Sequence, residues 1–361
     1  MGAFFLQKLE NAGHGPMVGR PLWERKVPSS SLGAPIFILG FEMTCAEPKL
    51  PYLTFYHRPC RGYHLSGDGA EHIILSPVFE ASVGFSSLVL SVNFCPKGQD
   101  WLWTEVQIRQ DGKWSPFYKL ALYSQKLSHS FDEQEDDFAK VCVDVLQLKK
   151  PAQAYRFRLT IGGEAALPEV AVCITDAQAE YDPCAVVPPD GKRKVNVEPI
   201  SQMQLAVSEK DRIRLCSPTS LTMALNALGI DADPLQTAQA VYDDKAAIYG
   251  NWTFNTAYAC RMGAEAFVTR FQRLNQLKDF LKKGSLVLAS IAYKRGELTN
   301  AAVKQTAGHL VLICGWEEGK IRVADPAAGL TKEVIRYYDA EEFARAWLVR
   351  KRGLAYLVRK K

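Results

Sequence analysis

Between residues 36 and 180 the apolar positions come in short runs that favour β structure. IFILGFEMTC, HIILSPVFE, SLVLSVNFC, TEVQIRQ, KWSPFYKLALYS, KVCVDVLQL, AYRFRLTIGG and EVAVCITDA are rich in Val, Ile, Phe and Tyr, and Pro, Gly and Asp clusters bound them. That spacing predicts an all-β sandwich of antiparallel strands over 36–180, with residues 1–35 set apart as an N-terminal segment. The clearest piece is a hairpin: Val106 and Ile108 alternate up to Asp111-Gly112, and Trp114, Phe117 and Leu120 follow. Asp-Gly supplies the positive-φ pair that a two-residue hairpin turn requires.

The pattern breaks in YDPCAVVPPDGKRKVNVEP, residues 181–199, which holds four prolines and no sustained period. Such a stretch reads as a domain boundary, placed near residue 190, with a linker over 181–194 and a second domain over 195–361. Helical spacing appears next. Leu221, Ala224, Leu225 and Leu228 fall on one face, Pro218 suits a first turn, and Gly229 can close the helix, so Cys216 is predicted at a helix amino terminus. Two more helical segments, around 234–242 and 275–283, precede the β-like runs SLVLASIAY, HLVLICGW, KIRVADP, EVIRYY and LAYLVRK. Helices followed by an antiparallel sheet make an α+β domain.

Composition agrees with two folded domains and removes several functional classes. A chain of 361 residues exceeds the length at which one core stops growing. With 47 % hydrophobic and 23 % charged residues it has ordinary globular composition. A net charge of +5 is too small to argue for nucleic acid or an anionic membrane as partner, and the basic residues near the end read as a solvated tail on a final strand. No apolar run approaches the roughly 18 residues needed to span a bilayer, and MGAFFLQKLENAGHGPM lacks the layout of a secretory signal. Nine scattered cysteines without a CxxC or CxxxC pair argue against a disulfide framework and a zinc site. A reducing, cytoplasmic setting is predicted; a secreted chain whose signal had been removed would look the same. No cofactor is called for, and without HExxH or histidines at ligand spacing a metal hydrolase is disfavoured.

The chemistry gathers in the second half. A free thiol with pKa about 8.5 supplies little thiolate at neutral pH, and the roughly half positive charge of a helix amino terminus lowers that pKa. Cys216 has this address; Cys260 and Cys314 do not. A cysteine hydrolase also needs an imidazole to take and return a proton, and His309 in TAGHLVLICGW is the one histidine of this half. Asp325 in KIRVADPAAG can hold that imidazole in the right tautomer if the strand opening at His309 and the strand closing at Asp325 pair in antiparallel fashion. The Cys216 amide and a side-chain amide from ISQMQL, either Gln202 or Gln204, are candidate oxyanion donors.

The order ISQMQ, CSPTSLTMALNALG, GHLVLICGW, VADPAAG resembles the bacteriocin-processing, double-glycine-leader cysteine peptidases of the papain clan, and especially their free-standing relatives. The resemblance covers about residues 195–358 and implies a papain-like domain with Cys216 as nucleophile, His309 as base, Asp325 as orienter and Gln202 as oxyanion donor. YGNWTFNTAYA and EEFARAW also look like elements of the free-standing relatives, and in the former Asn251 and Trp252 are candidate substrate-binding residues. The first half, through SVN, QIRQDGKWSPFYKLALYS and SHSF, is similar to a β-sandwich that precedes such domains in some bacterial relatives.

The resulting expectation is a cysteine peptidase or amidohydrolase acting on a peptide or protein through a thioester. The same groups allow acyl transfer to an amine. The alternative from another class is a non-catalytic protein whose sandwich binds a glycan or protein. Trp101, Trp103 and Trp114 could line such a site, but alternating aromatics are read first as sandwich core.

Overall fold

The computed structural model describes residues 36–37, 52–57, 64–67, 71–176 and 186–361. The expectations for residues 1–35, for the run past Phe37 up to Cys45, and for 181–185 of the linker lie outside the described residues.

Alternation of apolar and polar side chains builds the first half as antiparallel pairs. β1 (Tyr52–His57), β2 (Phe79–Asn93), β3 (Trp101–Gln110), β4 (Tyr118–Ser124), β5 (Val145–Gly162) and β6 (Glu169–Thr175) lie in the order β1-β6-β2-β5-β3-β4, flanked by shorter strands. The long β2 changes partner along its length. Its start pairs with β5, and Ser87–Asn93 pairs with β6. Phe85, Leu88, Leu90, Tyr155, Phe157 and Leu159 are buried between these strands. The predicted hairpin is present: Gln110 pairs with Lys113 across Asp111 (φ 50°) and Gly112 (φ 77°), both in the left-handed region that this turn needs.

One expectation is corrected. Leu102, Val106 and Ile108 on β3 face the core, so the period of two sends Trp101 and Trp103 to the opposite face, where both are half-buried. There Lys119 Nζ lies 4.5 Å from the Trp103 ring centre, and the Arg156 guanidinium stands 4.9 Å from that of Trp114. Gly162 leaves room for this face, since a Cβ on it would sit 2.1 Å from Trp101 Nε1.

The second half has its own antiparallel sheet. β7 (Ala264–Arg270), β8 (Leu286–Tyr293), β9 (Thr306–Glu317), β10 (Lys320–Ala324), β11 (Ile335–Asp339) and β12 (Leu354–Lys360) run in the order β7-β12-β8-β9-β10-β11. Arg193 and Lys194 already pair with Trp316 and Gly315 of β9. Against this sheet pack α1 (Cys216–Ala227) and α3 (Trp252–Arg261), while α2 (Pro234–Val241) packs on those two helices. Gly229, at φ 79°, ends α1 as its position predicts. The basic residues near the end are partly engaged: Arg350 pairs with Glu297 at 2.5 Å and Arg359 with Glu265 at 2.7 Å.

The described residues fall in one compact unit, Ala34–Lys361. β7 is an edge strand of its sheet, and side chains of β2 meet its open edge. Ala266 N donates to Asn93 Oδ1 and Val268 N to Ser91 Oγ, each at 3.1 Å. Edge amides that would otherwise be buried without partners are thereby satisfied.

Candidate active site

Cys216 is the first residue of α1, preceded by Leu215, which gives no side-chain cap. The unpaired amides of that first turn face the same end of the helix as the thiol. Pro218 fits because a first-turn residue needs no amide hydrogen. A buried polar chain fixes the turn: Ser217 Oγ lies 2.9 Å from Asn255 Oδ1 and 2.9 Å from Tyr356 OH, while Ser220 Oγ donates to Leu310 O at 3.0 Å. The last bond ties α1 to β9 one residue from His309.

His309 and Asp325 come from paired strands. β9 and β10 run antiparallel with Leu312 opposite Ala324, so the chain leaving β10 runs toward His309. His309 Nε2 lies 2.7 Å from Asp325 Oδ1, and both side chains are buried. Asp325 is fixed further by Ala327 N donating to Oδ1 at 2.9 Å and Tyr338 OH donating to Oδ2 at 2.6 Å. With Nε2 engaged, Nδ1 is the ring nitrogen left to face the Cys216 thiol, and the two groups interact electrostatically.

The electrostatics favour a charged pair. Burial pushes the Cys216 thiol up, but the hydrogen bond and charge of His309 outweigh it and the thiol is held below its ordinary value. Burial likewise pushes the His309 imidazole down, whereas Asp325 and Cys216 raise it to about 10. Asp325 stays below the usual carboxylate range: burial opposes this, and His309 and Tyr338 hold the carboxylate ionised.

The two glutamines left open by the sequence separate. Gln202 is buried, and its segment is tied to the turn after Asp325 through Gln202 N to Pro326 O at 2.9 Å and Ser201 Oγ to Ala328 O at 2.5 Å. Gln202 Nε2 donates to Arg212 O at 2.9 Å, which leaves its second amide hydrogen uncommitted there. Gln204 is exposed, and its Oε1 accepts from Thr331 Oγ1 at 2.6 Å. Asn251 has both ends of its amide engaged in the start of α3: Oδ1 accepts from Thr253 N at 3.1 Å, and Nδ2 donates to Asp243 Oδ2 at 2.9 Å. Trp252 is half-buried against the core, and its amide donates to Asp144 Oδ2 at 2.6 Å. Tyr338 is the contributor that sequence reading missed. In EVIRYY, two adjacent tyrosines offer no mark of which faces inward, and the strand buries Tyr338 while leaving Tyr337 half-exposed.

Residues 194–354 match the family model described as the Peptidase_C39 like family. That segment is C39-like. Residues 72–174, ahead of the C39-like segment, match the model described as the Peptidase C39 N-terminal domain. Among solved structures, the chain is similar to a double glycine motif protease from an AMS/PCAT transporter, crystallised in complex with the leader peptide. That match has 17 % identity and a TM-score of 0.33, covering 48 % of this chain and 99 % of that one. A C39-like peptidase from Bacillus anthracis matches at 18 % identity and a TM-score of 0.35, covering 48 % of this chain and 99 % of that one. No curated protein matches the chain. Among the described residues no helix is long and apolar enough to cross a membrane, and no group of three or more His, Cys, Asp or Glu could hold a metal ion.

Proposed function

We propose that the chain is a cysteine peptidase or amidohydrolase whose reaction runs through a thioester on Cys216. The observation that carries this reading is the buried His309–Asp325 pair, 2.7 Å apart, whose imidazole interacts with the Cys216 thiol at a helix start. The Cys216 thiolate attacks the scissile carbonyl carbon, and the Cys216 amide and the free N–H of Gln202 hold the oxyanion. One such donor lowers the barrier by about 2.7–4 kcal/mol. The His309 imidazolium gives its proton to the leaving amine as the C–N bond breaks. The now neutral imidazole takes a proton from water, which opens the thioester and returns Cys216. Asp325 keeps the ring turned with Nδ1 toward sulfur. The substrate class is a peptide or protein, and an amine in place of water would make the same cycle an acyl transfer. In this reading residues 36–180 are a β-sandwich accessory domain, 181–194 a linker and 195–361 a papain-like catalytic domain.

The pH dependence of Cys216 alkylation tests the pair without a substrate. Fast alkylation well below pH 8.5 that is lost in His309→Ala is expected, followed by cleavage of a peptide library that Cys216→Ala abolishes. An ordinary thiol profile unchanged by His309→Ala would reject the reading and leave the chain a binding protein on a peptidase scaffold.

A further inference from the structure

Away from that site, a pair of sulfurs bridges the two halves of the chain. Cys95 follows β2 by two residues, and Cys260 lies in the last turn of α3. Their Sγ atoms are 3.0 Å apart, and Cys95 Sγ is also 3.4 Å from Cys260 O. Cys95 is exposed and Cys260 is buried. Both are held in place: Asn93 accepts from Ala266 N at 3.1 Å, and Lys361 Nζ donates to Cys260 Sγ at 3.4 Å.

We propose that Cys95 and Cys260 are a reversible disulfide site, oxidised by exchange with a small-molecule disulfide, that staples the first half to α3. A disulfide bond of about 2 Å needs only a short approach from the present separation. The division of labour follows from exposure. Cys95 is reachable by an oxidant, and it is also the better thiolate: the hydrogen bond from Cys260, followed by the charges of Lys361, Arg261 and Lys97, holds it below the ordinary thiol range against its partial burial. The Cys95 thiolate attacks one sulfur of the oxidant RSSR and expels RS⁻, giving a mixed disulfide. Cys260, sheltered from the oxidant, gives up its proton and attacks Cys95 Sγ, expelling the second RS⁻. The protein loses two hydrogens and the oxidant leaves as two RSH, so the exchange balances without any further electron acceptor.

The test treats the full chain with oxidised glutathione at neutral pH and maps its peptides without reduction. The expected result is a linked pair of peptides containing Cys95 and Cys260, with an intact mass lower by two hydrogens at that site. Dithiothreitol should reverse it, and the thermal midpoint should rise in the oxidised form. In Cys260→Ser, which cannot resolve the mixed disulfide, a glutathione adduct should persist on Cys95. Cys95 and Cys260 remaining free, a lasting adduct on Cys95 with Cys260 intact, or pairing of either with another cysteine would each overturn the proposal.

Discussion

Asp325 divides its two oxygens between different tasks, Oδ1 facing His309 and Oδ2 facing Tyr338. The charge on that carboxylate does most to lift the imidazole above its ordinary 6.5 against the effect of burial, with Cys216 adding to it. In Asp325→Asn the shape persists and the charge does not, so the His309 proton should leave at a far lower pH. Imidazole nitrogen NMR should then find His309 titrating well below the native value of about 10. If the proposed reaction holds, the alkaline limb of its pH profile moves down in step. Tyr338→Phe removes only a hydroxyl. It should cost about 1.5–3 kcal/mol in denaturant melts, as for a buried hydrogen bond to a charged group, and it should slow Cys216 alkylation at neutral pH. A merely structural Tyr338 would lower stability and leave the alkylation rate of the folded protein alone.

At the scale of elements, the buried open edge of β7 is satisfied by side chains where a further strand would ordinarily pair. Asn93→Ala or Ser91→Ala strands a buried amide, and each should cost about 1–3 kcal/mol in the urea midpoint with an unchanged slope. These contacts were invisible in the sequence, because a serine and an asparagine in a β run carry no mark of what lies across from them. Local chemistry was more readable. Asp111-Gly112 announced its hairpin since the turn demands positive φ, and Pro218 and Gly229 framed α1 since each suits one end of a helix. The alternation on β3 was equally visible, but which of its two faces turned inward was not, and the large tryptophans went to the outer one. The meeting of His309 with Asp325 was legible as a condition, namely that their strands pair in antiparallel fashion, and β9 and β10 do. Tyr338 was hidden for the same reason as Asn93: its partner is chosen by the sheet.

Taken as a whole molecule, the C39-like segment does not complete its own hydrogen bonding. At the start of α3, Trp252 N donates to Asp144 Oδ2 at 2.6 Å, Tyr123 OH donates to Thr253 Oγ1 at 3.0 Å, and nearby Ser130 N donates to Asp243 Oδ1 at 3.2 Å. Burial pushes the Asp144 carboxyl up to about 7, and the Trp252 amide offsets only part of that. An acid whose pKa is raised on folding binds its proton more tightly in the native state, so stability falls as pH rises from the ordinary 3.8 through about 7. Asp144→Asn keeps a carbonyl for the Trp252 amide and has no proton to lose. Denaturation midpoints at pH 5 and pH 8 should therefore draw together in the variant, and an unchanged pH dependence would show that Asp144 ionises freely.

The strand order of the second sheet also sets a timetable. β12, made last of the six, lies inside the sheet between β7 and β8, and its Tyr356 braces Ser217 beside Cys216. A nascent chain can coil α1 early, but the sheet beneath it stays open until residue 360 has emerged from the ribosome. Until that strand closes, Tyr356 cannot brace Ser217, so on the proposed reading the activation of Cys216 is assembled late in folding.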